Sequence, residues 1–164
     1  MSAEDRVRLT IPENAAGLVY GIILVATLLS AESAVRETYA KTFIGAIIAL
    51  TTYWLALTYA GFTGERLEHK EGASLLLLAR AAVHELTVLY GAAVPLLALI
   101  AFWLVGVTLD NAVLWTIYVA DAAIIGAEIV IGVQAGLKRW ALIGQVALGA
   151  ILGVLVLGLR LLLH

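Results

Sequence analysis

Residues 112–136 read AVLWTIYVADAAIIGAEIVIGVQAG, an apolar stretch that carries two acids, Asp121 and Glu128, and no lysine or arginine. A helix of this length extends about 38 Å, which exceeds the roughly 30 Å hydrocarbon core of a bilayer. The stretch therefore predicts a membrane-spanning helix. Its two acids make it the most informative segment of the chain.

The composition of the whole chain is also that of a membrane protein. Of the 164 residues, 63% are hydrophobic and only 13% are charged, whereas a soluble domain carries roughly 25% charge. The mean hydropathy is +1.03, and a soluble globule of this size could not bury so much apolar surface. With a net charge of −2 and no cysteine, the chain lacks a basic surface for nucleic acid and all thiolate chemistry. A soluble enzyme, a nucleic-acid-binding domain and a disordered chain are excluded.

Five segments of the sequence are long and apolar enough to cross a bilayer. The predicted spans are residues 15–31, 42–62, 88–109, 112–136 and 141–162. Asp110 and Asn111 are expected to form the tight turn between the third and fourth spans.

Residues 63–87, between spans two and three, form the predicted cytoplasmic segment. Its charged start, GERLEHKEG (64–72), continues span two as helix, and the leucine-rich stretch ASLLLLARAAVHEL (73–86) follows. Arg80, His84 and Thr87 share one helical face by their spacing, which predicts an amphipathic helix at the inner interface. The predicted fold class is therefore all-α: one integral membrane domain of five transmembrane helices with this inner amphipathic helix.

The distribution of Lys and Arg predicts the orientation. Seven of these residues fall on one side, namely Arg6, Arg8, Arg66, Lys70, Arg80, Lys138 and Arg139. The other side has Arg36, Lys41 and Arg160, and Arg160 is expected to reach the outer headgroups. We expect a multi-pass protein of a cell membrane, such as a bacterial inner membrane, with a cytoplasmic N-terminus and an external C-terminus. The polar first 14 residues are not those of a signal peptide, so the first span is expected in the mature protein.

Asp121 and Glu128 are the first functional candidates, because a charge at mid-span costs about 2.5–3.5 kcal/mol on insertion scales. Seven residues apart, they share a helical face and stand about 10.5 Å apart along the axis. That spacing is too long to share one proton and suits two successive stations. Tyr20, Thr52 and Gln145 of other spans are predicted to line the same path. The alternative is that both acids are bonded to hydroxyls in a packed interface.

Glu65, Glu68 and His69 form the pattern E-x-x-E-H after span two. At positions i, i+3 and i+4 they project from one helical face, where two carboxylates and an imidazole could bind a divalent cation. A solvated charged face is the alternative, since charge patterns of this kind are common. No other cofactor is predicted. The sequence has no P-loop, G-x-S-x-G or H-E-x-x-H motif, so enzymatic activity is not expected.

Three pairs of glycines are spaced four residues apart: Gly17 and Gly21, Gly132 and Gly136, and Gly149 and Gly153. Each pair opens a helical face for close approach of another helix. The pairs predict either the seam of a homodimer or packing within the bundle.

Three stretches carry a family resemblance: AAGLVYGIILVATLLSA (15–31), LYGAAVPLLAL (89–99) and GLKRWALIGQVALGAILGVLVLGLRLLL (136–163). Together with the layout of spans, they resemble the vacuolar iron transporter family. The resemblance implies five spans, a dimer, a cytosolic N-terminus and an acidic helical segment between spans two and three. The family's Asp-Gly pair of span one is Tyr20-Gly21 here, and its Met- and Glu-bearing span two is ALTTYWLALTYAGF (49–62). No metal-handling residue of those two spans is carried over.

Two functional hypotheses follow from the sequence. The first is a small transporter-like membrane protein that moves protons or cations along Asp121 and Glu128. The second is a non-transporting accessory subunit or assembly factor of a larger membrane complex. The expected partners are the lipid bilayer and either a second copy of the chain or other membrane subunits.

Overall fold

The computed structural model of this chain describes residues 15–31, 38–69 and 74–163, and these residues form an all-α protein. The remaining residues lie outside the description, and with them the predicted basic positions Arg6, Arg8, Arg36 and Lys70. The described part contains helices α1 (Ala15–Ala31), α2 (Tyr39–His69), α3 (Leu75–His84), α4 (Leu86–Leu104), α5 (Leu109–Gln134) and α6 (Arg139–Leu163).

Four stretches of helix within the described residues are long and apolar enough to cross a membrane. They are Tyr39–Leu67, Leu75–Leu104, Leu109–Gln134 and Arg139–Leu162, and the second of them combines α3 and α4. Their length and composition are those of a multi-pass membrane protein. The remaining long apolar helix, α1, has 17 residues.

Two short turns place α4, α5 and α6 beside one another. Gly106 and Gly136 end α4 and α5 with φ values of 77° and 66°, a left-handed conformation that glycine adopts without steric cost. After each glycine the next N–H donates back to the helix, from Val107 to the Phe102 carbonyl and from Leu137 to the Gly132 carbonyl. Such Schellman ends stop a helix within one turn, so consecutive helices become antiparallel neighbours.

The turn between α4 and α5 differs from the predicted one. Residues 105–108 connect α4 to α5, whereas Asp110 and Asn111 lie inside the first turn of α5 after the N-cap Thr108. The Asn111 amide donates to the Thr108 hydroxyl at 3.1 Å. The glycine-terminated end of α4, rather than the Asp-Asn pair, determines the turn.

Helix α1 lies at the centre of the described bundle and packs against α4, α5, α6 and α2. Its side chains Ile22, Val25, Ala26 and Leu29 are at most 1% exposed. At its crossing with α4 the backbones touch, because a Cβ at Gly21 would overlap the Val88 carbonyl oxygen and one at Gly91 would overlap that of Leu18. Glycines on both helices therefore allow this crossing.

Helix α3 packs along the second half of α2, where the Trp54 indole N–H donates to the Ala82 carbonyl at 3.1 Å. Ser74 caps its start, with the side-chain oxygen accepting from the Leu76 N–H at 3.2 Å. Helix α3 ends at His84 and α4 begins at Leu86, so Thr87 does not belong to the predicted helix that would place it on one face with Arg80 and His84. Thr87 is buried, whereas Arg80 and His84 are exposed.

Candidate functional site

The candidate site is the line of polar side chains where α5 contacts α6, which we call the α5–α6 seam. It comprises Asp110, Asp121 and Glu128 on α5, and Gln145, Gly149, Gly153 and Arg160 on α6. Because the two helices are antiparallel around the turn at Gly136, residues at similar distances from that turn face each other. The seam thus brings the two predicted acids together with residues of the last span.

Asp121 lies directly against Gly153. A Cβ placed on that glycine would be 2.8 Å from Cγ of Asp121 and 2.9 Å from Oδ1. Only a glycine leaves room for the carboxyl group at this position. Oδ1 of Asp121 is buried and has no hydrogen-bond partner, which is uncommon for a buried polar atom.

Glu128 lies two turns further along α5 and is bonded to α6. The Gln145 amide donates to Oε2 of Glu128 at 2.5 Å and to the Glu128 backbone carbonyl at 3.4 Å. Gly149 makes room for the aliphatic part of the glutamate, since a Cβ there would be 3.1 Å from Cγ of Glu128. Seven-residue spacing on α5 is therefore matched by the glycine pair on α6.

Tyr20 reaches the same region from α1. A cavity of about 390 Å³ lies between α1, α5 and α6, and both Tyr20 and Glu128 line it. The rest of its lining is apolar, from Ala16, Val19, Ile23, Ile131 and Leu152. Tyr20 remains 54% exposed, so this cavity is open at the surface of the bundle beside Glu128.

Thr52 is the predicted path residue that the structure does not bring to the seam. It is exposed on α2, and its hydroxyl donates to the Ile48 carbonyl of its own helix at 2.9 Å. Helix α2 packs against α1, α3 and α4 rather than against the α5–α6 pair. Of the predicted path residues, Asp121, Glu128, Gln145 and Tyr20 therefore lie together, and Thr52 lies apart.

Arg160 was missed as a seam residue, and its expected reach to the outer headgroups stays a prediction. It is 7% exposed, and its guanidinium donates from Nη2 to both the carboxylate and the backbone carbonyl of Asp110. Its Nη1 is buried and has no hydrogen-bond partner. The sequence signals for this pair are an acid in the first turn of α5 and a basic residue near the end of α6. They indicate a contact only when the register of α6 along α5 is known.

Four glycines of the three pairs pack closely within the chain. Gly21 faces α4, Gly132 faces the Leu142 side chain, and Gly149 and Gly153 face the two acids. At these four glycines the chain's own side chains or backbone fill the space, whereas a Cβ at Gly136 would meet nothing within 4 Å.

The predicted metal ligands are described only in part. Glu65 is half-buried on α2, while the side chains of Glu68 and His69 lie outside the described residues. Among the described side chains, no three of His, Cys, Asp or Glu are grouped closely enough to hold a metal ion. His84, at the end of α3, has its Nδ1 3.2 Å from a carboxylate oxygen of Glu85.

Comparisons of this chain with protein-family models, curated proteins and solved structures found no match. The resemblance to the vacuolar iron transporter family thus stays a prediction from the sequence. The function has to be argued from the seam itself.

The seam is suited to holding protons or small cations. In the described part of the chain, the ion pairs are His84–Glu85 and Arg160–Asp110, so neither Asp121 nor Glu128 is neutralised by a basic side chain. Within a membrane span an unpaired carboxylate is costly, and taking up a proton or a cation relieves that cost. Two such carboxyl groups follow one another along a single helix face.

Proposed function

We propose that the chain is a small polytopic membrane protein that moves protons or small cations along the α5–α6 seam. Asp121 and Glu128 act as two successive carriers, Gln145 positions Glu128, and the cavity at Tyr20 gives access to it. The observation that carries the proposal is the buried Oδ1 of Asp121, which has no partner and lies against a glycine. A purely structural acid would be expected to have its hydrogen bonds satisfied by the surrounding chain.

The arrangement explains why the two carboxyl groups differ. Glu128 accepts a bond from Gln145 and borders a cavity that is open at the surface of the bundle. Oδ1 of Asp121, in contrast, is buried and accepts no hydrogen bond. A proton or cation therefore passes between an enclosed carboxyl group and a more accessible one.

The test is flux in liposomes that contain the purified protein and a pH-sensitive dye. A potassium diffusion potential drives proton entry, and a parallel set with a metal-sensitive dye measures divalent cations. Asp121→Asn keeps the size of the side chain and removes its ionisation, so we expect the rate of protein-free liposomes. Thr52→Val removes a hydroxyl from α2 that lies away from the seam and should keep the parent rate. Equal flux in the parent and Asp121→Asn would refute the proposal.

The same proposal includes a membrane arrangement. Five crossings would be made by α1, α2, α4, α5 and α6, with α3 at the inner interface, the N-terminus in the cytoplasm and the C-terminus outside. The support is the basic bias of the sequence and the exposed leucines Leu75, Leu76 and Leu78 of α3, which would lie against lipid. A cell membrane is the proposed location.

A second function remains as an alternative: an accessory subunit or assembly factor of a membrane complex. The observation that favours it is the exposed apolar surface of α2, where Ile44, Ile48, Leu55 and Tyr59 are all more than half exposed. Either lipid or another subunit, including a second copy, could cover this surface. Extraction in mild detergent separates these cases, because stable co-purification of other chains supports the subunit function and a lone homodimer supports transport.

A further inference from the structure

We propose that Arg160 is a two-position counter-ion, paired with Asp110 while Asp121 is protonated and moving along the seam to Asp121 when that carboxyl ionises. This inference rests on the proposed function, because it names how charge at the enclosed carrier is balanced. It adds Arg160, and with it the Asp110 end of the α5–α6 seam, neither of which the transport proposal uses.

Two buried atoms of opposite polarity lack partners in the same seam. Nη1 of Arg160 and Oδ1 of Asp121 are both buried and unbonded. An ionised carboxylate or a guanidinium nitrogen in that condition is costly. The two costs would be removed together if the guanidinium met the carboxylate.

The helix geometry places the two side chains within reach. Asp121 lies opposite Gly153, and Arg160 follows that glycine by seven residues, or about 10.5 Å along α6. In a helix each Cα–Cβ bond tilts toward the N-terminus. Since α5 and α6 are antiparallel, Asp121 and Arg160 lean toward each other, and the long arginine stem covers the remaining distance.

The seam leaves space beside Arg160 for the first part of this movement. A cavity of about 300 Å³ lies at the Arg160 end of the seam, lined by Asp110, Leu114, Tyr118, Leu157, Arg160 and Leu161. The carboxylate that holds the guanidinium now is 67% exposed. It can be solvated when the arginine leaves, so releasing it costs less than releasing a buried partner would.

The other charged and titratable groups near the seam do not replace Arg160 in this role. Among the described residues, the helices packed against α5 and α6 contribute Tyr20 of α1 and the exposed Tyr90 of α4. The α5–α6 pair itself carries Asp110, Tyr118, Glu128, Lys138 and Arg139 besides Asp121 and Arg160, and Lys138 lies in the turn before Arg139. Arg139 is the first residue of α6 and is exposed beyond the Glu128 end. Arg160 is therefore the basic residue of the described seam that can reach Asp121.

The experiment is an infrared titration of the full chain in lipid nanodiscs. The C=O stretching band that is lost in Asp121→Asn reports the protonated form of Asp121. Asp110→Asn frees the guanidinium for Asp121, so its titration midpoint should fall by about 1–3 pH units, the range for an opposite charge at contact distance. Lys41→Gln, which removes a charge from the exposed surface of α2 and away from the seam, should leave the midpoint unchanged.

A second background separates movement of the arginine from the simple loss of a negative charge. With Arg160→Gln, or Arg160→Met if the glutamine variant does not fold, Asp110→Asn should shift the midpoint only slightly. An unchanged midpoint for Asp110→Asn in the parent, or an equal shift with and without Arg160, overturns the proposal. The titration needs no transport, so a failure of the flux experiment and a failure of this one are distinguishable.

Discussion

At the scale of single residues, the contact between Gly153 and Asp121 can be tested by adding one methyl group to the glycine. Gly153→Ala places a carbon 2.8 Å from Cγ of Asp121, so the carboxyl group must move away from α6. We expect a loss of about 1–3 kcal/mol in the free energy of unfolding, as for other overpacked sites, together with reduced flux. Thermal unfolding in detergent measures the first effect.

Gly158→Ala is the matched control, since nothing lies within 4 Å of a Cβ there. In the same helix, alanine should be neutral or stabilising by up to about 1 kcal/mol. If both variants behave alike, the close contact between Gly153 and Asp121 is not present in the folded protein.

The two acids could be recognised from the sequence alone, whereas their partners could not. A charged residue within an apolar stretch is visible in any sequence, and the seven-residue spacing assigns Asp121 and Glu128 to one face. The contacts with Gly153 and Gln145 depend on the register of α6 along α5, which the turn at Gly136 determines. Thr52 was assigned to the path for its polarity alone, and polarity does not show which helices are neighbours.

At the scale of helices, the crossing of α1 and α4 predicts an unusual sensitivity to alanine. A Cβ at Gly21 or Gly91 would overlap a backbone carbonyl of the opposite helix, and a backbone atom cannot move aside as a flexible side chain can. We expect either substitution to destabilise the protein by about 1–3 kcal/mol or more. The yield of folded protein after detergent extraction and its thermal midpoint are the measurements.

Gly126→Ala on α5 serves as the control for that crossing, because a Cβ there meets nothing within 4 Å. Retention of the parent midpoint by Gly21→Ala would show that the two helices cross at a greater separation.

The end of α2 carries the remaining prediction about a divalent cation. If Glu65, Glu68 and His69 bind such an ion, calorimetric titration of the purified protein with Mn²⁺ should show heat that weakens in His69→Ala, because one of three ligands is lost. His84→Ala removes a histidine paired with Glu85 and should keep the binding. Equal heats in the parent and His69→Ala leave only the solvated face.

Helix existence was predictable here and helix ends were less so. Apolar length identifies a membrane helix, but the end of α4 at Leu104, before the predicted 109, depends on Gly106 adopting a left-handed conformation. The interruption at Glu85 has no comparable sequence signal, because no proline or glycine marks it. A helix that ends at a glycine therefore has an end that its sequence can predict, whereas the end of α3 at His84 cannot be predicted in this way.

At the scale of the whole molecule, α1 decides the number of crossings. Its 17 residues extend only about 26 Å, less than the roughly 30 Å of a hydrocarbon core. Yet α1 is packed among α4, α5 and α6 rather than at the edge of the bundle. Helices that pack side by side lie in the same layer of a bilayer, so this packing favours a crossing by α1 together with its neighbours.

This position predicts an odd number of spans, with the two termini on opposite sides of the membrane. Reporter fusions after His164 and before Met1 test it, using one reporter that is active only in the cytoplasm and one active only outside. We expect the C-terminal fusion to report the external side and the N-terminal fusion the cytoplasm, in agreement with the bias of seven basic residues to three. If both termini report the same side, α1 does not cross the membrane.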